Sequence, residues 1–360
     1  MSSRIVLELK PGKDNPRNSE GAFITLASGR ILFIFTRYYG DSSLDHAPAV
    51  LAARWSDDAG RTWSDDDRVI VENEGQCNVM SVSLLRLQDG RIALFYLLKN
   101  GLHDCRTWMR TSSDEAETWS QPMLTIPPLG YFVTNNDRVI QLKSGRIIVP
   151  AALHRHYAIE DGDHTENRMD GRGIAMYFLS DDAGETWREA ADWWALPVRS
   201  KSGLQEPGAV ELKGGRVYGF CRTDQGKQWE LLSRDKGVTW SPPKASRFQS
   251  PNSPLSIKRI PSTGDLLAVW NDHSPKWMKQ YKKAAGWRRY PHALALSKDE
   301  GKTWRHNKLV ETSSGRGYCY TAIHFTDDDH VLLAYCAGKW NPGCLTETRV
   351  RRLSMDFVYG

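Results

Sequence analysis

Short apolar runs, each entered through a turn, punctuate the chain: GRILFIF at 29–35, GRIALFY at 90–96, GRIIVPA at 145–151, GRVYGF at 215–220, GDLLAVW at 264–270 and DHVLLAY at 329–335. Runs this short, rich in β-branched and aromatic residues and bounded by turn formers, predict buried strands rather than helices. A second mark, Ser-x-Asp-x-Gly-x-Thr-Trp, occurs at 56–63, 180–187, 233–240 and 297–304; a copy at 112–119 carries Ala116 in place of the glycine. Self-similarity at this spacing predicts an all-β propeller. Within each box, Ser and Asp can hold a tight turn by accepting from backbone N–H groups. Gly60 and its equivalents supply a positive φ, and Ala116 predicts a slightly different turn. Trp63, Trp119, Trp187, Trp240 and Trp304 are expected to anchor the next strand in the seam between blades. Six turns against five boxes predict six blades, the last without a box. The run at 5–9 lies outside the first unit and would complete the last blade beside 348–358, removing an exposed edge.

Composition changes this picture little. The chain has 360 residues, and no Pro/Gly/Ser-rich linker divides it. One propeller over 1–360 is expected, because repeat units pack mainly on their neighbours. A net charge of +5, spread along the sequence, suits anionic ligands and falls short of a nucleic-acid signature. No apolar run approaches the ~20 residues that span a bilayer. The start, MSSRIVLELK, lacks the apolar core of a signal peptide, so the expectation is a cytoplasmic protein or one whose leader is absent from this sequence. Cys77, Cys105, Cys221, Cys319, Cys336 and Cys344 form no CxxC pair and no metal-type spacing, and the several that lie inside apolar strand-like runs read as buried free thiols. Residues 154–172 carry His154, His156 and His164 among Asp161, Asp163 and Glu166, in no known ligand spacing; they read as a solvated rim loop. Neither a metal nor an organic cofactor is expected.

Candidate chemistry centres on 203–222, GLQEPGAVELKGGRVYGFCR. Read as a hairpin turned at Gly214-Gly215, it brings Glu206 and Arg222 to one mouth; Glu211 competes, but the strand period aims it within the sheet. Asn78, Asp104, Asn136, Asp137 and Arg138 stand where strands start or loops fold over that mouth. They suit recognition of sugar hydroxyls, and equally the finishing of turns. The loop at 272–290 is rich in Lys and Arg, which suits a funnel for anions and, more plainly, a solvated charged loop.

From about 15 to 335 the chain resembles the sialidase (neuraminidase) superfamily, in its bacterial branch with such boxes. The resemblance rests on Glu206-Pro207 before a strand, Arg222 at the end of the next, Arg289-Tyr290-Pro291 and Gly317-Tyr318. It also implies an arginine before the first strand, another ending the second and an acidic residue in the following loop, matched by Arg17, Arg37 and Asp45. Asp41 competes with Asp45, and Pro16-Arg17-Asn18-Ser19 replaces the family's Phe-Arg-Ile-Pro.

The resemblance implies an exo-glycosidase that removes a terminal sialic or related carboxylated sugar with retention. Tyr318 would be the nucleophile, with Tyr320 a rival on the same face. Glu206 would be its base and Asp45 the acid/base; Arg17, Arg222 and Arg289 would clamp the carboxylate while Arg37 orients Asp45 or reads a ring substituent. A neutral phenol suits such a substrate, because two carboxylates at 4 Å repel by about 4 kcal/mol at an effective dielectric of 20. The implied partner is a glycan ending in an acidic sugar. Alternatives are a propeller glycosidase or lyase for another acidic sugar, and a glycan-binding propeller without turnover.

Overall fold

The structure, a computed structural model, describes residues 3–161, 164–281 and 288–360, the side chains of 158–167 excepted. After β1 (Ser3–Leu9), a first antiparallel unit holds β2 (Asn18–Thr25), β3 (Ile31–Tyr38), β4 (Ala49–Ser56) and β5 (Arg68–Val71). The second has β6 (Asn78–Arg86), β7 (Ile92–Lys99), β8 (Cys105–Ser112) and β9 (Met123–Leu124). A short β10 (Tyr131–Val133) joins it to a third unit of β11 (Ile140–Gln141), β12 (Ile147–Asp161), β13 (His164–Ser180) and β14 (Arg188–Glu189), making one sheet of the two. The fourth unit is β15 (Gln205–Glu211), β16 (Val217–Arg222), β17 (Lys227–Ser233) and β18 (Lys244–Gln249). The fifth is β19 (Ser256–Arg259), β20 (Leu266–Asn271), β21 (His292–Ser297) and β22 (Arg305–Glu311). The sixth has β23 (Cys319–Thr326), β24 (His330–Cys336) and β25 (Thr348–Ser354), with β1 as its outer strand from Ser3↔Leu353 to Leu9↔Thr348. The run at 348–358 is strand only to Ser354, because Met355–Tyr359 turns into a short helix capped by the Ser354 side chain. Residues 154–161 and 164–172 are paired strand, in β12 and β13, and not an irregular rim loop.

The apolar runs are buried on both faces, as in β7 and β20, because each unit packs against the one before and the one after. Hydrophobic clusters join units one and two, two and three, three and four, four and five, and five and six. A further cluster, with Phe23, Phe33, Leu332 and Val350, joins the sixth to the first. The units therefore pack in cyclic order. Trp63, Trp119, Trp187, Trp240 and Trp304 each lie in one of these inter-unit clusters.

The repeated box folds alike in all its copies. Gly60 N–H donates to Ser56 Oγ (2.9 Å), while Thr62 N–H and Oγ1 donate to the two oxygens of Asp58. Gly60 has φ +79°, which a β-carbon disfavours. Ala116 makes the same turn, at φ +67° with its N–H on Ser112 Oγ; the different turn expected there does not occur, since a lone methyl tolerates this region at modest cost. Although burial works the other way, hydrogen bonds from Thr62, Ser56 and Arg61 bring the Asp58 carboxyl down to about 2. Its folded pKa lies below the unfolded value, so its stabilisation is present above about pH 4 and lost as pH falls towards 2. Asp58→Asn should lower the thermal midpoint at pH 6 by an amount worth about 1 kcal/mol. The same substitution should make the midpoint less steep between pH 4 and 2; thermal scans across that range check both.

Candidate active site

A repeated defect in the innermost strands builds the site. Strands β2, β6, β15 and β23 each break register at the same end, between Ser19/Ala22, Met80/Ser83, Gln205/Gly208 and Cys319/Ala322. Each break contains one residue of positive φ: Glu20 (+46°), Ser81 (+60°), Glu206 (+46°) and Tyr320 (+58°). A bulge of this kind re-aims a side chain that the pleat would keep within the sheet layer. Such backbone costs about 1–3 kcal/mol per residue and persists where its surroundings enforce it. Here all four side chains turn into one cavity of about 200 Å³. At Gly208 the chain passes so close to Phe220 that a Cβ would lie 2.5 Å from the ring.

At the floor of this cavity Tyr320 Oη donates to Glu206 Oε1 (3.1 Å), and Arg222 Nη1 donates to the same phenol oxygen (3.3 Å). Arg222 Nη2 lies 3.3 Å from Glu206 Oε1, and its Nε donates to Gln205. Glu206 is only 7% exposed, and its Oε2 has no hydrogen-bond partner among the described residues. The Arg289 guanidinium lies 5.3 Å from the Tyr320 ring centroid and donates to Cys319 Sγ. Burial, and then the charge of Glu206, push the phenol well above its ordinary range against the pull of Arg222 and Arg289. At rest Tyr320 is therefore neutral, and reacts through oxygen only if a neighbour takes its proton.

Across the cavity Arg17 is buried and fully engaged, donating to Ser19 Oγ, Ser43 O, Asp45 Oδ1 (2.6 Å) and Glu20 Oε1 (2.7 Å). Glu20 and Asp45 both line the cavity, whereas Arg17 stands behind them. Burial works to raise the Asp45 carboxyl, but the charge and hydrogen bond of Arg17, with Lys99 and His46, hold it below the usual carboxylate range. Glu20 is shifted the other way: burial raises it beyond what Arg17 takes back, and Asp45 adds to the rise. Two carboxyls sharing one guanidinium are thus driven apart, which is how a site keeps one ionised and the other able to hold a proton. Lys99 donates to Asp45 O (2.8 Å) and sits over the Tyr131 ring; Tyr131, His154, Met80, Leu97 and Met169 complete that wall.

Several residues expected in the site lie elsewhere. Tyr318 points into the core between units five and six, stacked with His292 and against Tyr335. It shares no face with Tyr320, because the bulge between them breaks the alternation. Arg37 turns to Asp67 (3.1 Å), since its neighbour Tyr38 takes the face beneath Arg17. Asn78 donates to Asp45 O and Ala47 O and so holds the loop that carries Asp45. Asp104 closes a local turn with Asn100 and Arg106. Asn136 bridges Gly21 O and Tyr320 O, tying three units together, and Asp137 binds Lys258 and Ile323 N–H. Arg138 is buried against Phe220; loss of solvation brings it down to about 10 despite Glu206 and Asp137. Glu211 accepts from Lys143 N–H, at the end of β15 away from Glu206, and Asp41 lies exposed outside the cavity lining. Lys282 and Lys283 of the basic loop, and Asp163 of the 154–172 segment, fall outside the described residues, as do the side chains of His164, Asp161 and Glu166. Among the described residues no His/Cys/Asp/Glu group is arranged to hold a metal ion.

Glu20, Lys99 and Tyr131 were not singled out in the sequence, yet two left a signal. Glu20-Gly21-Ala22 stands in its unit where Glu206-Pro207-Gly208-Ala209 stands in the fourth, and Lys99 ends β7 as Arg222 ends β16. A larger concavity of about 530 Å³ opens at the other end of the units, beside the β15–β16 turn. Its Asp137 and Lys258 are paired with each other, and no phenol faces them.

A BNR repeat-like domain matches residues 55–333, and the chain belongs to that family. A sialidase of Bacteroides fragilis (strain YCH46) is 22% identical over 349 residues, covering 87% of this chain; the chain spans 58% of that relative's length. Among solved structures, the NanB sialidase from Streptococcus pneumoniae superposes with a TM-score of 0.72 at 16% identity, covering 99% of this chain and 71% of that one. A covalent intermediate of the Trypanosoma rangeli sialidase with 2,3-difluorosialic acid gives 0.71 at 16%, covering 99% and 59%. A protein of unknown function from Dyadobacter fermentans DSM 18053 gives 0.71 at 17% and matches nearly end to end, covering 98% and 99%. The fold is thus all-β and β-propeller-like, of the kind those sialidases have.

Proposed function

We propose that this protein is a retaining exo-glycosidase of sialidase type, acting on a terminal sialic or related carboxylated sugar. The six units, packed in cyclic order, are read as the blades of one six-bladed propeller whose mouth is the cavity of Glu206 and Tyr320. The observation that carries the reading is the Tyr320–Glu206–Arg222 contact: a buried phenol hydrogen-bonded to a buried carboxylate, beside a guanidinium. Such a trio suits a nucleophile whose proton leaves as it attacks. Tyr320, rather than Tyr318, attacks the anomeric carbon; Glu206 takes the proton; the Asp45–Glu20 pair across the cavity, of which Glu20 holds the proton, protonates the leaving oxygen and then activates water. Arg222 and Arg289 hold the sugar carboxylate by charge-assisted hydrogen bonds.

One observation favours a second reading. Arg17 is occupied by Glu20 and Asp45, which leaves two guanidiniums for the carboxylate and suits a glycosidase for a different acidic sugar. A panel of aryl α-sialosides, deamino-sialosides and uronides, followed by NMR of the first product, separates the readings. Turnover of a sialoside with the α anomer released first is expected. Preference for a uronide supports the second reading, an unsaturated product identifies a lyase, and ligand binding without turnover identifies a lectin.

A further inference from the structure

The cavity is not the only concave surface at this end of the molecule. The strands β12 and β13 run on past the level of the mouth as a hairpin, and their base is a wall with two sides. His154 and Met169 line the cavity. Arg155, Asp170 and Arg172 line a separate groove of about 270 Å³ on the other side, closed by residues 195–203. The partition is thin and fixed. His154 Nδ1 is 3.0 Å from Asp170 O, and Gln205 Nε2 donates to Gly171 O (2.9 Å). Gly173 and Gly203 cross so closely that a Cβ on either would meet backbone within 2.6 Å. Gly203 is followed within three residues by Glu206, so the groove and the candidate base share one stretch of chain.

Three guanidiniums from three segments, Arg155, Arg172 and Arg199, converge on this groove over an apolar floor of Ile174, Leu196 and Val198. The one carboxylate among the lining residues, Asp170, is occupied by Arg172 (2.6 Å). Nearby Asp224 is held by Ser200 Oγ and Lys201 N–H. Arg155 and Arg199 are exposed, and no hydrogen bond from either guanidinium is recorded among the described residues. Planar cations above an apolar floor suit a sugar chain that carries carboxylates or sulfates: the ring face covers the floor and the anions meet the forks. We propose that this groove is a second glycan subsite, which holds an anionic sugar beyond the one bound in the cavity. The proposal deepens, and rests on, the reading of the neighbouring cavity as a glycosidase.

The test uses the full chain carrying Tyr320→Phe, so that binding is read without turnover. An oligosialic acid, a chondroitin sulfate hexasaccharide and neutral chitohexaose are titrated calorimetrically, with and without Arg155→Ala/Arg199→Ala. The expected result is binding of at least one anionic oligosaccharide, weakened about tenfold or more by the double substitution, with chitohexaose unaffected. Binding of the oligosialic acid shows that carboxylates suffice, whereas binding of the chondroitin sulfate alone shows that sulfate is needed. In the otherwise wild-type chain the double substitution should leave turnover of a small aryl glycoside within about twofold, since it spares the cavity. Arg199→Glu, in an exposed loop, serves if the double variant fails to fold. Equal affinity with and without the arginines, equal loss for the neutral sugar, or no binding of any anionic oligosaccharide overturns the proposal. Arginine-dependent binding in a protein that cleaves no aryl glycoside keeps the groove and removes the catalytic reading.

Discussion

Tyr320→Phe should lower turnover of the preferred aryl glycoside by about a thousandfold or more, while Tyr318→Phe leaves it within about threefold. The two phenols are two residues apart, yet their surroundings differ in kind. Tyr320 Oη is bonded to Glu206 and Arg222 in the cavity, whereas Tyr318 is enclosed between His292, Tyr335 and the apolar side chains of two units. A thousandfold loss corresponds to about 4 kcal/mol of transition-state stabilisation. Losing a hydroxyl from the packed seam can touch stability instead, so Tyr318→Phe is checked by both thermal midpoint and kcat. Full activity in Tyr320→Phe, or its loss in a well-folded Tyr318→Phe, would return the role to the residue favoured by the Gly-Tyr motif.

Glu206→Gln should cost about 10²–10⁴ in kcat, and raising the pH should not restore it. Gln keeps the shape and can still accept from Tyr320, but it cannot take a proton. Burial still holds the phenol above its ordinary range, so raising the pH to about 9 leaves it protonated. The measurement is a pH–rate profile of both proteins: the variant's profile should lie parallel to and far below the wild type's between pH 5 and about 9. A variant that recovers as the pH rises would mean that Glu206 merely orients Tyr320 and that solvent takes the proton.

The architecture was legible because its causes are local. Apolar runs behind turn formers become strands wherever they fall, and the boxes carry their own hydrogen bonds. The closing strand at 5–9 could be found because an apolar run stood outside every unit. The site was legible only in part, because bulges have no signature in a period-two reading. A regular strand puts Tyr318 and Tyr320 on one face, and only the left-handed φ of Tyr320 parts them. Motif position alone could not say that Arg17 would be spent on Glu20 and Asp45, since Glu20 enters the cavity through the same kind of bulge. Asn78 and Asn136 are polar and near the mouth, as expected, yet both serve backbone carbonyls. Comparison of the units with one another, rather than with any relative, was the signal left unused: it places Glu20 beside Glu206 and Lys99 beside Arg222.

The pairing of β1 with β25 joins stretches some 340 positions apart, and this bears on how the molecule assembles. Local hairpins can form as soon as each is synthesised, but this contact must wait until the chain has been made as far as β25. Its closure entropy is met late, and long-range pairings of this kind slow folding. Until it forms, β25 offers an unprotected ladder of amides and carbonyls to any other extended segment in solution. A nascent or heat-loosened molecule therefore exposes one more edge at which it can stick to its neighbours.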